Sequence, residues 1–401
     1  MNKPVLFAAL LFCIGIQGFA LDYGVALNQF PLVRSGGSEG EGDFDYSLMV
    51  RPWLSSPLGE KADLYLSGGF SAEYGEEWAF LPDVSRFEIS LRPLPNLGIE
   101  AGRFNFTEAL GFVFSGLFDG LGAAWDIGGT RLEAGAFYTG LLYKKTAGIT
   151  MTPQDGAAYS DKEVYFASRR VVLALNWRIP ALFDSRNSLD LSALAQIDLN
   201  DTEYALHSQY ILAKWSRPLG GGWYMDMGAA AMVEEVRVEG GDDKSAAGFA
   251  LSLEPFWVPR KRPGDRLSFT FRMASGNRND TLRAFRPLTT QAQGKVLEGL
   301  FSGLAWAQAA YRLGLPKNLR GELSAAWFFR TDRETYAGPG LKAGSSSPSL
   351  GGEAYASLSW VPASWCSLTL GGGVFVPHSG GAYDAEAALT WRAAAGLVLS
   401  F

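Results

Sequence analysis

Residues 384–401 read Asp384-Ala385-Glu386-Ala387-Ala388-Leu389-Thr390-Trp391-Arg392-Ala393-Ala394-Ala395-Gly396-Leu397-Val398-Leu399-Ser400-Phe401. Every second residue from Ala385 to Phe401 is apolar, and the set between them carries Glu386, Thr390, Arg392 and Ser400. Residues two apart share one face of a strand, so this segment predicts a strand that is greasy on one side and charged on the other. A strand of that length and polarity suits a wall with hydrocarbon outside and water inside.

The same alternation recurs along the chain. Phe44, Tyr46, Leu48 and Val50 oppose Asp45, Ser47, Met49 and Arg51; Phe87, Ile89 and Leu91 oppose Arg86, Glu88, Ser90 and Arg92. Leu189, Leu191, Ala193, Ala195 and Ile197 oppose Asp190, Ser192, Gln196 and Asp198, with Leu194 the single exception. A soluble sandwich would also alternate. Three features favour a closed membrane barrel instead. The segments run mostly about 9–13 residues, enough for a tilted crossing. Aromatics such as Trp53, Trp177, Trp223, Trp327, Trp360 and Trp365 gather near segment ends, where interfacial girdles sit. Connections also alternate between tight Gly/Pro/Asn turns (Pro93-Leu94-Pro95-Asn96, Gly128-Gly129, Leu315-Pro316-Lys317-Asn318) and longer polar stretches. From 21–30 to 384–401 the pattern predicts an all-β, antiparallel up-and-down transmembrane barrel of about eighteen strands. Sixteen is the competing count, because 21–30 and 205–216 alternate poorly.

Composition agrees. The chain has 401 residues, 48 of them Gly, and aromatics reach 13%, yet charged residues make up 19% and mean hydropathy is only +0.03. Past the N-terminus no apolar run approaches the 20 or so residues of a membrane helix. Residues 1–20 read as a secretory signal: Lys3 is the positive start, Val5 to Ile16 the short apolar core, and Gly18-Phe19-Ala20 the small-residue cleavage site. Phe12 stands where a lipidation site at Cys13 would want a small residue. Residues 21–401 are then one barrel domain. That segment keeps a single cysteine, Cys366, which excludes an intramolecular disulfide. Without Lys3 there are 34 basic against 41 acidic residues and no polybasic face, which argues against nucleic acid as a partner.

The closing pattern Leu397-Val398-Leu399-Ser400-Phe401 resembles the terminal strand of bacterial outer-membrane β-barrel proteins. The resemblance extends over the whole of 21–401, with porins and the eighteen-stranded substrate-specific channels nearest in architecture. It implies an outer-membrane location, contact with outer-membrane lipid, and recognition of Leu397, Leu399 and Phe401 by the barrel-assembly machinery. It also implies passive transport of small hydrophilic solutes. No subfamily follows from it, and the oligomeric state, a homo-oligomer included, stays open.

The alternation places Arg51, Arg86, Glu88, Arg92, Arg131, Glu133, Arg170, Asp190, Asp226, Arg272, Arg320, Glu322, Glu353 and Arg392 on the inward face as candidate pore-lining residues. Such charges facing lipid would each cost about 2–4 kcal/mol at mid-depth, which is why their shared face is informative. Two segments stand apart. Residues 105–120 are too apolar for a solvated loop and either fold inward or pack under the rim; Phe301-Ser302-Gly303-Leu304 echoes Phe114-Ser115-Gly116-Leu117. Loop 276–299, with Arg278, Asp280, Arg283, Arg286 and Lys295, is expected as a solvated, basic loop at the mouth. No catalytic, cofactor or metal site is predicted. His207 and Ser208 point to opposite faces of a strand, and His378 has no acid beside it. The alternatives to diffusion are a barrel whose outer loops bind a ligand or host component, and a channel for a hydrophobic or polymeric substrate.

Overall fold

The computed structural model describes residues 21–35, 42–75, 77–182, 186–200, 204–238, 244–278, 283–332, 341–342 and 344–401. The expected leader, 1–20, and Asp280 lie outside them. Eighteen strands follow one another: β1 (Asp22–Ser35), β2 (Gly42–Pro57), β3 (Ala62–Tyr74), β4 (Trp78–Leu94), β5 (Leu97–Thr107), β6 (Ser115–Ile127), β7 (Thr130–Tyr138), β8 (Arg170–Ile179) and β9 (Ser188–Asp198). The second half holds β10 (Tyr204–Gly220), β11 (Trp223–Val238), β12 (Lys244–Trp257), β13 (Arg266–Ala274), β14 (Leu304–Leu315), β15 (Leu319–Arg330), β16 (Ser349–Ala363), β17 (Cys366–Pro377) and β18 (Thr390–Ser400). Each pairs antiparallel with its sequence neighbours, and β1 pairs with β18 through Ala26↔Ser400 to Arg34↔Arg392, closing the sheet. Closure leaves the sheet without a terminal edge strand, the condition for a sheet in hydrocarbon.

The register assigns the faces. Along β18, Trp391, Ala393, Ala395, Leu397 and Leu399 share the outer side with Leu368, Leu370 and Val374 of β17, while Arg392 and Gly396 share the inner side with Gly373 and Thr369. Outward side chains such as Phe80, Leu121, Ile211 and Leu323 are more than half exposed, and an outer surface this apolar belongs in acyl chains. Phe44, Tyr46, Phe70, Tyr74, Trp78 and Phe80 form a continuous ring cluster at the long-loop end of β2–β4. Trp53 departs from the girdle expectation: it stacks on Tyr65 at 6.4 Å on the inner side.

The count is eighteen, so both poorly alternating segments are full strands. Boundaries shift where loops are drawn inward. Strand β18 starts at Thr390 rather than Asp384, because Ala382 and Tyr383 are buried in an inner apolar cluster and 384–387 turn back through Ala387 N–H to Asp384 O. Likewise 164–169 belong to the β7–β8 connection, where Ala167 N–H bonds Leu142 O.

Candidate functional site

The β5–β6 hairpin leaves the wall. Strands β4 and β5 stop pairing at Phe87↔Arg103, and β6 and β7 stop at Asp119↔Tyr138, yet β5 and β6 stay paired to Thr107↔Ser115. Arg103 stands at the point of departure. Its guanidinium reaches Asp119 (2.9 Å), Asp83 (3.2 Å) and the Leu141 carbonyl (3.1 Å), and caps the Val84 carbonyl on the free edge of β4. At the tip, Glu108 folds the turn by accepting from the Val113 N–H at 2.7 Å and from the Leu110 N–H. The tip spans the lumen to β8, β9 and β11: Asn176 donates to Thr107 O (3.0 Å), Ala109 N–H donates to Ser192 Oγ (2.9 Å), and Leu110 lies against Gly228.

Burial drives this inward fold. Phe104, Phe106, Phe112, Phe114, Phe118 and Phe137 are all buried, with Phe114 stacked on Phe118 at 4.0 Å and Phe112 edge-on to Phe301 at 4.8 Å. Each such ring contributes about 1.5–3 kcal/mol by leaving water. The inner faces of the wall facing them are apolar too: Val172, Ala174, Leu194, Leu206, Tyr210, Leu212, Ala230, Met232 and Ala250. Leu194, the exception in its strand's alternation, and the weak pattern of 205–216 therefore have one cause.

A second segment crosses the lumen. Residues 283–301 do not stand above the mouth, as the sequence suggested, but run inward as a strap. It starts with Arg283 N–H to Ala247 O (2.8 Å), meets Tyr210, whose hydroxyl donates to Arg286 O (2.7 Å), and bonds the hairpin through Thr289 N–H to Val113 O (3.0 Å). Its far end reaches β16 and β18, where Glu353 accepts the N–H groups of Lys295, Val296 and Leu297 at 2.8–3.0 Å and Arg392 pairs with Glu298. Beside it lies a second apolar cluster: Leu304, Trp306, Ala326, Phe328, Leu350, Phe375 and Tyr383.

The β7–β8 connection carries two short helices, α1 (Lys144–Ala147) and α2 (Pro153–Ser160). The run Thr152-Pro153-Gln154-Asp155 starts α2 with a reciprocal cap and Pro in its first turn. Asp155 also accepts from Met151 N–H (3.0 Å) and pairs with Arg170 (2.7 Å), which holds Asp198 as well (3.2 Å). In the same loop, burial pushes the Tyr143 phenol up to about 12.

The predicted pore-lining residues therefore divide. Arg170 and Glu353 face inward but are buried beneath the loops they hold, so neither meets a solvent-filled bore. Arg86–Glu88, Arg131–Glu133, Arg178–Asp190, Lys214–Asp226 and Arg312–Glu322 pair along or across strands. Arg51, Arg92, Arg272 and Arg320 have no carboxylate partner among the described residues; Arg51 touches Met49 Sδ, and Arg272 lies between the rings of Phe112 (5.1 Å) and Trp306 (5.6 Å). Two cavities open beneath the inner loops. One, about 340 Å³, is roofed by Thr107–Gly111 over Arg131, Glu133, Arg178, Asp190 and Lys214. The other, about 300 Å³, is roofed by Gln291–Lys295 over Glu254, Arg266, Arg272, Arg312 and Glu322. None of the inward side chains of β1–β4 joins either apolar cluster among the described residues; this sector meets the inner loops through polar contacts instead, Lys145 with Glu73, Tyr165 with the Pro82 carbonyl and Arg103 with Asp83.

Sequence reasoning missed Arg103, Asp83, Asp119, Glu108 and Asp155. The Thr152–Asp155 capping signature was readable; the other partners are brought together only by the fold. The two histidines serve locally: His207 Nδ1 accepts from Asp198 N–H at 3.2 Å, and His378 lies 6.2 Å from the Trp327 ring.

No protein-family model matches the chain, and no curated protein matches it. Solved structures do. OccK2 (OpdF) of Pseudomonas aeruginosa, in complex with glucuronate, is similar with a TM-score of 0.62 at 13% identity, over 96% of this chain and 100% of that one. OprD of Pseudomonas aeruginosa is similar at 0.59 and 12% identity, over 96% of each chain. OccAB1 of Acinetobacter baumannii is similar at 0.59 and 11% identity, over 95% of this chain and 96% of that one. At such identities the likeness concerns the fold, an eighteen-stranded closed barrel.

Proposed function

We propose that the chain is an outer-membrane, porin-like channel for passive diffusion of small hydrophilic solutes. One observation carries this reading above the rest. A barrel apolar outside and charged on much of its inner face has its lumen narrowed, over two cavities lined by charged side chains, by segments entering from one end, while the β1–β4 sector joins neither apolar cluster among the described residues. A narrowed aqueous path selects for small polar solutes, and a similar fold has been seen holding glucuronate. Catalysis has no part in it.

Conductance of the purified protein in a planar bilayer tests the reading. Stepwise openings are expected; a folded barrel that stays silent overturns it and favours display of the outer loops for ligand binding. The remaining features are read with it: 1–20 as a cleaved leader, Leu397, Leu399 and Phe401 as the segment offered to the assembly machinery, long connections outside and tight turns in the periplasm. A tag at Gly156–Ala158 should then be accessible on intact cells and one at Leu94–Asn96 should not.

A further inference from the structure

We infer that Glu353 is a positioning residue of the permeation path: its buried carboxylate holds the strap across the lumen and thereby sets the width of the bore. This rests on the channel reading. Strap residues 292–300 close into a narrow loop through Gln293 N–H to Gly299 O (2.9 Å) and the Ala292↔Leu300 bridge. The loop turns three successive N–H groups, of Lys295, Val296 and Leu297, to one side. Successive N–H groups aimed together make an anion-binding concavity. Here the wall supplies the anion: Glu353 of β16, 4% exposed, takes 2.8 Å bonds from Lys295 and Val296 and a 3.0 Å bond from Leu297. Gly294 is fitted to the same contact, since a Cβ there would stand 2.8 Å from Glu353 Oε2 and 3.0 Å from Phe328. Arg392 secures the far side by bonding the Lys295 carbonyl (3.2 Å) and Glu298. Leading into these anchors, Gln291–Lys295 roof the cavity over Arg272 and Arg312. Loss of Glu353 leaves three loop N–H groups unpaired over the apolar cluster and frees the strap to move.

Two readouts on the detergent-folded full chain test this, with heat-modifiable gel migration as the check on folding. Trypsin cleavage after Lys295 reports release of the strap whether or not the protein conducts. In Glu353→Ala it should be about tenfold faster than in wild type, the scale for losing charge-assisted hydrogen bonds that protect a local segment. Glu353→Gln, which keeps one accepting oxygen, should fall between. In bilayers Glu353→Ala should show larger, noisier single-channel currents. Gly294→Ala, which pushes the strap from its own side without altering β16, should reproduce both effects and serves if Glu353→Ala fails to fold. Unchanged cleavage in a folded variant overturns the tether, and faster cleavage with wild-type currents overturns its control of the bore. Silence of the wild type would instead remove the channel reading and leave the tether judged by trypsin alone.

Discussion

Strands β18 and β10 cross the same barrel, yet only one announces itself. On β18 the outer Trp391, Ala393, Ala395, Leu397 and Leu399 alternate with the inner Arg392, Gly396 and Ser400. On β10 the inner face carries Leu206, Tyr210 and Leu212, all buried, beside Ser208, so apolar residues occur on both sides. The difference lies in what covers the inner face. Above β18 the lumen offers the strap's polar end, Glu298 and the Lys295 carbonyl. Against β10 lie Phe285, the Arg286 carbonyl and the phenylalanine cluster of the hairpin. On β10 the failure to alternate therefore records a loop packed on the inner side, whereas β1, which also alternates poorly, carries its inward Phe30 46% exposed.

The largest test of this contrast is Arg170→Ala. It leaves Asp155 and Asp198 buried without a cation, a loss of about 3–5 kcal/mol by analogy with other broken buried pairs. The β7–β8 loop should become protease-sensitive while the barrel stays folded. Arg34→Ala, whose pair with Asp45 across β1 and β2 is solvent-accessible, should cost about 0–1 kcal/mol, and equal effects in thermal melts would erase the distinction. Next comes Phe114→Ala, expected to cost about 3–5 kcal/mol as a fully buried ring is deleted. Phe30→Ala on β1, where the ring is already 46% exposed, should change melting little.

Face assignment is tested by Ala395→Arg and Ala394→Arg, neighbours on β18. The outward arginine should destabilise by about 2–4 kcal/mol at mid-depth, and the inward one should fold normally. Refolding into liposomes with urea titration separates them; the reverse order would invert the inside and outside of the barrel. The smallest effect concerns Tyr143. Its phenol is raised from 10.0 to about 12 by burial, so its contribution is complete below pH 10 and fades as pH rises towards 12. Tyrosinate absorbance at alkaline pH should develop together with protease sensitivity of the 139–169 loop. A Tyr143→Phe protein should keep that loop protected further into the alkaline range.

Much of the candidate site was legible, but unevenly. Alternation put Arg86, Glu88, Arg131, Asp190 and Glu322 on the inner face, and their ion pairs, two residues apart on one strand for Arg86–Glu88 and Arg131–Glu133 and across neighbouring strands for Arg178–Asp190 and Arg312–Glu322, follow from simple spacing and register. It equally put Arg170 and Glu353 there, and could not say that both would be covered. The apolar stretch 105–120 showed that something unusual happens, because so many phenylalanines cannot be left in water. It did not say which way the hairpin turns, since rim and lumen both offer burial. The strap was misjudged for a related reason: its course is set by distant partners, Glu234 for Arg286, Glu353 for the Lys295 N–H and Arg392 for Glu298, while the Lys295 side chain itself stays exposed.

By itself the chain of residues determined the class of fold and the two faces of the wall, and left eighteen crossings against sixteen for the structure to decide. Each strand meets two different solvents, and a period of two inscribes that difference locally. Only the tertiary structure decided which connections enter the lumen and which charges they hide. Those outcomes depend on partners far apart in the chain, as when Thr289 meets Val113 or Lys295 meets Glu353, and no local pattern encodes such a meeting.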